Sequence, residues 1–246
     1  MLIDAHCHLD LLEKEKDLDK VLENSKKVKI IISNGTSPES NRRVLEISDK
    51  YEKVKPSLGI YPLEALKMSD EEIDAEIEFI KKSKPIAIGE VGIDYHYGDQ
   101  KEQQEKNFKK FIKLAKELDI PIIVHSRKAE SEVLDILEQS DIEKVVLHCF
   151  SGNKELTEKA TSHKSWMFTI PTAVVRNKTF RKLAKRVPIN NILTETDAPY
   201  LSPIEGEPNE PAFIELSITK IAELKKITKE ELEKSIEENF QKMFLK

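Results

Sequence analysis

The chain has 246 residues, of which 39% are hydrophobic and 35% are charged, and its formal net charge is −5. This balance argues against a protein that holds duplex DNA mainly through its phosphates, and no apolar stretch reaches the ~18 residues of a membrane helix. The opening segment MLIDAHCHLD lacks the basic and apolar regions of an export signal, so we expect a cytoplasmic protein without membrane contact, and no feature points to an obligate protein partner.

Short apolar segments rich in β-branched residues alternate with polar, helix-like stretches along the chain. Such alternation predicts βαβ units and a parallel sheet, and eight repeats are the number that closes a (β/α)8 barrel of the TIM type. No linker or change of composition divides the chain, so we expect residues 1–246 to form a single α/β domain. The predicted strands are LIDAHCH, KIIISNGT, KPSLGIYP, PIAIGEVGID, PIIVHSR, KVVLHCFSG, SWMFTIPTA and ILTETDAP.

Several helices between these strands can be read from spacing. Apolar residues recur at helical spacing in QKEQQEKNFKKFIKLAKELDIP, which predicts a helix with one buried face. Ser69 with Glu72, and Thr228 with Glu231, have the spacing of capping boxes and mark helix starts. The stretch 211–246 predicts two helices on the outside of the barrel.

The first predicted strand carries His6 and His8, which an extended strand places on one face, with Cys7 on the other. The two imidazoles are either half of a metal site or a chance pair on a solvated strand edge. Cys7 and Cys149 form no C-x-x-C motif, which excludes a disulfide framework or a thiolate zinc site. Each directly neighbours a histidine on a strand-like segment, so we expect both to be small buried fillers.

Other predicted strands also end in metal-binding side chains, and in such a barrel the C-terminal ends of the strands meet at one catalytic face. Four imidazoles and two carboxylates suit two divalent ions when one carboxylate bridges them and water fills the remaining positions. A buried structural histidine explains any one of these positions, but it explains poorly why all four fall on one face. The candidate ligands are His6, His8, Glu90, His125, His148 and Asp197.

Five motifs carry a family resemblance. DAHCHLD, GEVGIDY, PIIVHSRKA, VVLHCFSG and ETDAPYLSP resemble, in order and across nearly the whole chain, the TatD family of metal-dependent deoxyribonucleases within the amidohydrolase superfamily. The resemblance implies that His6, His8, Glu90 and Asp197 hold one metal. It implies that Glu90, His125 and His148 hold the second, with Glu90 as the bridge. Mixed imidazole and carboxylate ligands accept magnesium, manganese, zinc or nickel.

The resemblance also implies a reaction. We expect hydrolysis of phosphodiester bonds in DNA or another phosphoester by a metal-activated hydroxide, with Asp197 as general base and Glu90 as the second catalytic carboxylate. The family suggests removal of nucleotides from the 3′ ends of single-stranded DNA. Two other functions stay open: an amidohydrolase-type enzyme on a small phosphoester, lactone or amide, and a non-catalytic barrel that binds metal or nucleic acid.

The chain departs from the family at two places. Tyr61 in LGIYP stands where the family usually has a histidine that is thought to face substrate. The segment PIEGEPNEPAF, with Glu205 and Glu207, is shorter and acidic where relatives carry a basic stretch. Both departures concern substrate contacts and leave the predicted metal ligands intact.

Two basic and three aromatic residues are candidate substrate contacts. Arg127 follows His125 by two residues and shares its face if the strand continues, so it contacts either phosphate or a carboxylate such as Glu195 or Asp94. Arg176 follows the seventh strand in a basic segment that either attracts nucleic acid or is a solvated helix face. The aromatic rings of Tyr61, His96 and Tyr97 lie in loops on the same side, where they either stack on an unpaired base or pack against the protein.

Overall fold

The computed structural model describes residues 1–245 and contains one sheet of eight strands in the order of the sequence. Every neighbouring pair from the first strand to the eighth is parallel, which confirms the predicted barrel. The strands are β1 (Leu2–Cys7), β2 (Val28–Asn34), β3 (Val54–Leu58), β4 (Ala87–Asp94), β5 (Ile122–Arg127), β6 (Val145–Leu147), β7 (Met167–Pro171) and β8 (Ile192–Glu195).

Helices follow the strands and cover the outside of the sheet. In the long helix 101–118, Phe108 and Phe111 are buried against the barrel while the lysines face outward, as the periodicity predicts. Both predicted capping boxes are present, at Ser69 and Thr228. The helices are α1 (Leu9–Leu12), α2 (Leu18–Asn24), α3 (Pro38–Lys50), α4 (Pro62–Ala65), α5 (Asp70–Ser83), α6 (Lys101–Leu118), α7 (Glu130–Ser140), α8 (Lys154–Thr161), α9 (Lys178–Arg186), α10 (Ile214–Lys225) and α11 (Lys229–Phe244).

The seam between β8 and β1 brings the two ends of the sheet together. The hydroxyl of Thr194 donates to the carbonyl of Ile3 at 2.8 Å. Just beyond the strands, the amide of Asp197 donates to the carbonyl of His6 at 3.0 Å, and the amide of His8 donates to the carbonyl of Ala198 at 2.8 Å. These bonds place the end of β8 directly beside the His-x-His segment of β1.

Two short helices, α1 and α4, directly follow β1 and β3 and were not predicted, because four residues are too few to show a helical period. The two predicted C-terminal helices are present as α10 and α11. Among the helices that the structure describes, none combines the length and apolar composition needed to cross a membrane. The C-terminal ends of the strands surround a large cavity, which holds the candidate site.

Candidate active site

A cavity of about 1210 Å³ opens at the C-terminal face of the barrel. His8, Glu90, His125, His148 and Asp197 line it. His6 lies fully buried behind them, with its Nε2 atom 3.2 Å from Nε2 of His8. The structure therefore brings together all six residues that the sequence singles out as candidate ligands.

Glu90 sits at the centre of this cluster because β4 is irregular at that point. Ile88 pairs with Ile122 and Val91 pairs with Val124, so β4 accommodates one extra residue relative to β5. Such a bulge redirects a side chain, and the strand continues to Asp94, where the predicted segment PIAIGEVGID also ends. Glu90 is only 3% exposed, so its carboxylate is held in the cavity wall and not in solvent.

The two oxygens of Glu90 face two different pairs of histidines. Oε2 lies 3.6 Å from Nε2 of His6 and 3.2 Å from Nε2 of His8. Oε1 lies 2.7 Å from Nδ1 of His125 and 3.8 Å from Nε2 of His148. One carboxylate thus divides the cluster into two halves and contributes an oxygen to each.

Asp197 adds a second carboxylate to the first half. Its Oδ1 atom lies 3.5 Å from Nε2 of both His6 and His8, and 4.0 Å from Nε2 of His148. Asp197 follows β8 and has a φ of 60°, a left-handed conformation that Asp tolerates better than most residues. This turn aims the carboxylate inward, where a continued strand would carry it past the cavity.

Three of the four imidazoles have an outer hydrogen-bond partner that fixes which ring nitrogen faces the cavity. Nδ1 of His8 lies 2.9 Å from the carbonyl of Asn34, and Nδ1 of His148 lies 2.7 Å from Oε2 of Glu195. Nε2 of His125 lies 3.1 Å from Oδ2 of Asp94. Because each partner accepts a hydrogen bond, it holds a proton on the outer nitrogen and leaves the inner nitrogen free to donate a lone pair.

These contacts also shift the ionisation of the cluster. Burial alone would lower the pKa of His6, but its hydrogen bonds to Asp197 and Glu90 outweigh burial and raise the pKa to about 9. His125 behaves in the same way through Asp94 and Glu90, and its pKa also rises to about 9. Burial would raise the pKa of Glu90, yet the surrounding histidines hold it well below its usual range. The carboxylates of the cluster therefore stay ionised.

The chemistry of the donor set fits divalent cations. Inner imidazole nitrogens and carboxylate oxygens face one another, and once the imidazoles lose their inner protons, both kinds of atom offer lone pairs that a cation can accept. His6, His8 and Glu90 present ligand atoms within 4.8 Å of one another, and so do Glu90, His125 and His148. Imidazole and carboxylate together form a common ligand set for transition metals.

Cys149 corrects one expectation from the sequence. Cys7 is a fully buried filler as predicted, but Cys149 is only partly buried and lines the cavity. The reason is a φ of 44° at Cys149, directly after β6, which ends the alternation of an extended strand. The Cys149 amide and Sγ both lie 3.0 Å from Oε1 of Glu195, the carboxylate that also holds His148.

The candidate substrate contacts occupy different positions. Strand β5 continues to Arg127, and both Arg127 and Tyr61 line the cavity. Within residues 1–245, no carboxylate lies within 4.0 Å of Arg127, so neither Glu195 nor Asp94 pairs with it, and the guanidinium lies 4.6 Å from the ring centre of Tyr97. Arg176 is exposed and does not line the cavity.

Tyr61 contacts the candidate ligand His125 and its hydrogen-bond partner Asp94. Its hydroxyl donates to Oδ2 of Asp94 at 2.6 Å and lies 3.5 Å from Nε2 of His125. Burial and the Asp94 carboxylate both raise the pKa of this hydroxyl, so it stays protonated and remains a donor. The departure at this position thus places a neutral hydrogen-bond donor beside a candidate metal ligand.

The acidic segment lies away from the cavity. Glu205 and Glu207 are exposed and do not contribute to its lining. Asn209, fully buried, anchors the segment by donating to the hydroxyl of Thr172 and to the carbonyls of Thr196 and Tyr200. The two acidic side chains of this segment therefore lie on the outer surface and not in the cavity wall.

Sequence reasoning missed the outer partners of the histidines. Glu195 precedes Asp197 by two residues and Asp94 follows Glu90 by four, and the sequence suggests for each only an ion pair with Arg127. Glu195 is fully buried, as is Asp94. A charged residue inside an otherwise apolar strand is the signal for such a role, because a buried carboxylate needs donors around it.

Comparison with known proteins places this geometry in a family. A family model described as TatD related DNase matches residues 3–245. The chain is 34% identical over 261 residues to the human deoxyribonuclease TATDN3, with 100% of this chain and 95% of that protein covered. It is 33% identical over 252 residues to the uncharacterized metal-dependent hydrolase YabD of Bacillus subtilis, with 99% of each chain covered.

A solved structure agrees with the sequence relatives. The TatD homologue YJJV from Escherichia coli superposes with a TM-score of 0.91 at 27% identity, covering 100% of this chain and 98% of that one. The fold, the family model and the relatives match over essentially the full length described. With its clustered histidines and carboxylates at the mouth of an eight-stranded barrel, the chain belongs to the TatD family of metal-dependent hydrolases.

Proposed function

We propose that the protein binds two divalent cations and hydrolyses DNA from its 3′ ends, with single-stranded DNA as the preferred substrate. The proposal of two cations rests on the two carboxylate oxygens of Glu90, which face different pairs of histidines. Oε2 faces His6 and His8, while Oε1 faces His125 and His148. A bridging carboxylate is the usual way to hold two cations at the spacing that phosphodiester hydrolysis needs. Asp197 completes the first site.

When bound, the cations supply positive charge that lowers the pKa of water and neutralises the phosphate. The chain's own groups complete the reaction. Neighbouring histidines hold the pKa of Asp197 below its usual range against the effect of burial, so its carboxylate is ionised and ready to accept a proton from the attacking water. Arg127, which has no carboxylate partner within the described residues, is free to contact a phosphate oxygen.

The choice of DNA rests on the family. The matched family model is described as a DNase, and TATDN3 is named a deoxyribonuclease. Tyr61 lines the cavity and is a candidate contact for substrate bound inside it. Arg176 is exposed outside the cavity, so it is a candidate contact only for a DNA strand that extends beyond the cavity.

The direction of digestion is tested with a 5′-labelled single strand, a copy with a phosphorothioate at its 3′-terminal linkage, and the corresponding duplex. We expect stepwise shortening of the plain single strand, a block by the phosphorothioate and slower loss of the duplex. An aryl phosphodiester and a lactone are assayed in parallel. Turnover of either one with intact DNA would contradict the proposed substrate.

Glu195 provides a test of the outer hydrogen-bond partners of the histidines. Glu195→Gln keeps the shape of the side chain but weakens the acceptor that faces Nδ1 of His148, so we expect metal affinity or turnover to fall about 10- to 100-fold. The matched control is Glu138→Gln, because Glu138 accepts a hydrogen bond from His163 at 3.0 Å away from the cavity. An equal effect of both variants on metal binding would refute the role of Glu195.

The protonation of the cluster predicts a pH dependence of metal binding. His6 and His125 have pKa values of about 9 without metal, so both rings carry protons at neutral pH and an incoming cation must displace them. Affinity for zinc should therefore rise with pH and level off above about pH 9. Titration calorimetry in two buffers of different ionisation enthalpy should detect released protons. A pH-independent affinity with no release would contradict this account.

A further inference from the structure

Two exposed tyrosines mark the mouth of the cavity. Tyr97 is 63% exposed and Tyr200 is 55% exposed, and no other Tyr, Phe or Trp within residues 1–245 is classed as exposed. Both line the same cavity. Tyr200 lies beside His8, with 6.3 Å between ring centres, whereas Tyr97 lies on the loop that follows β4. Single exposed apolar residues need no explanation, but two aromatic rings at one opening suggest a flat ligand.

Tyr97 is in cation–π contact with Arg127. The guanidinium carbon lies 4.6 Å from the ring centre, within the range of a cation–π contact. The ring of His96 meets the Tyr97 ring at 64°, with 4.4 Å between centres. Arg127 has no carboxylate within 4.0 Å among the described residues, so its charge is available to a ligand. A planar cation on an exposed ring provides aromatic and positive surface side by side.

Asp94 fixes this unit relative to the candidate metal ligands. Its Oδ1 accepts hydrogen bonds from the backbone amides of His96 at 2.8 Å and Tyr97 at 3.0 Å. Its Oδ2 faces Nε2 of His125 at 3.1 Å and accepts the Tyr61 hydroxyl. One buried carboxylate therefore joins the loop that carries Tyr97 to the histidine that faces Oε1 of Glu90. Such preorganisation reduces the entropic cost of binding.

We propose that Tyr97 and Arg127 form a binding site for one unpaired nucleobase of the substrate strand, next to the linkage that is cleaved. The inference rests on the proposed nuclease function and adds a site to it. Every base has a flat π face, so stacking on Tyr97 is tolerant of sequence. In a duplex both faces of an internal base are covered by its neighbours. A stacking site at the cavity mouth therefore gives a physical reason for a preference for single strands.

The arginine distinguishes a stacking site from a simple phosphate site. A lysine replaces the charge of Arg127 but not its planar surface. If Arg127 contacts phosphate alone, Arg127→Lys should weaken binding without changing the base-stacking signal at saturation. If it supports the stacked base, Arg127→Lys should weaken the same signal that Tyr97→Ala weakens.

The test follows the base directly. A single-stranded oligonucleotide carries 2-aminopurine at its 3′ end. Its fluorescence is titrated with protein in magnesium and again in EDTA. The protein carries Asp197→Asn as a background substitution, which we expect to slow hydrolysis about 10²- to 10⁴-fold. Stacking quenches this fluorophore. We expect quenching by the background protein, a dissociation constant about 5- to 150-fold higher with Tyr97→Ala, and recovery with Tyr97→Phe. The matched control is Leu245→Ala, because Leu245 is also 63% exposed but lies outside the cavity.

The outcomes separate this site from the proposed function. Quenching that Tyr97→Ala leaves unchanged, or no quenching in either condition, would overturn the base site even if wild-type protein digests DNA. Quenching that depends on Tyr97, combined with intact DNA under every metal, would uphold the base site and refute the nuclease. Circular dichroism of each variant checks that the loop substitution has not unfolded the barrel.

Discussion

Replacing Glu90 with glutamine is expected to remove both cations and to abolish hydrolysis. Glutamine has one carbonyl oxygen and one NH2 group in place of the two acceptor oxygens of Glu90. The NH2 group would replace either Oε1 or Oε2, so one of the two histidine pairs would face a hydrogen-bond donor instead of an acceptor. Loss of metal charge in the transition state costs several kcal/mol, which corresponds to a rate decrease of about 10³-fold or more.

The measurement is metal content by elemental analysis, together with the rate of DNA hydrolysis. Glu76→Gln is the matched control, since Glu76 is also a buried glutamate but is held by Asn41 and Arg42 on the outer helices. We expect that control to keep its metal and its turnover. A Glu90→Gln protein that retains two metals and normal activity would refute the bridging role.

Asp197→Asn is expected to separate catalysis from metal binding. The asparagine oxygen can still lie near His6 and His8, and the other ligands remain, so most of the metal should stay bound. An amide cannot accept a proton from water, so turnover should fall about 10²- to 10⁴-fold. Elemental analysis and single-turnover hydrolysis of the same preparation provide the two readouts. Turnover close to that of wild type would show that another group is the base, and complete metal loss would show that Asp197 acts mainly as a ligand.

The barrel and the convergence of the candidate ligands were predictable from the sequence for one physical reason. Eight β-branched segments alternate with helices, and parallel strands of such a barrel bring their C-terminal ends to one face. A histidine or carboxylate at the end of a strand must therefore approach the others, as His125 and His148 do around Glu90. The order of the five motifs along the chain predicts the family that the family model confirms.

The parts that were not predictable depend on irregular backbone. Alternation along a strand assumes a regular pleat, and it fails at the extra residue near Glu90 and at the positive φ of Cys149. Strand β4 ends at Asp94 as predicted, but the contacts of the Asp94 carboxylate with His125 and with the loop that holds Tyr97 were not predicted. A local sequence pattern does not predict contacts between distant segments. The outer hydrogen-bond partners of the histidines were therefore identified only in the structure.

The central claim, a metal-dependent nuclease, is tested most directly by a time course on end-labelled single-stranded and duplex DNA. The protein is stripped of metal and then reloaded separately with magnesium, manganese, zinc or nickel, with Glu90→Gln protein purified in parallel to exclude a contaminating nuclease. We predict no cleavage by stripped protein, cleavage restored by at least one of these cations, and none by the variant. Intact DNA under every metal, or equal cleavage by Glu90→Gln protein, would contradict the account.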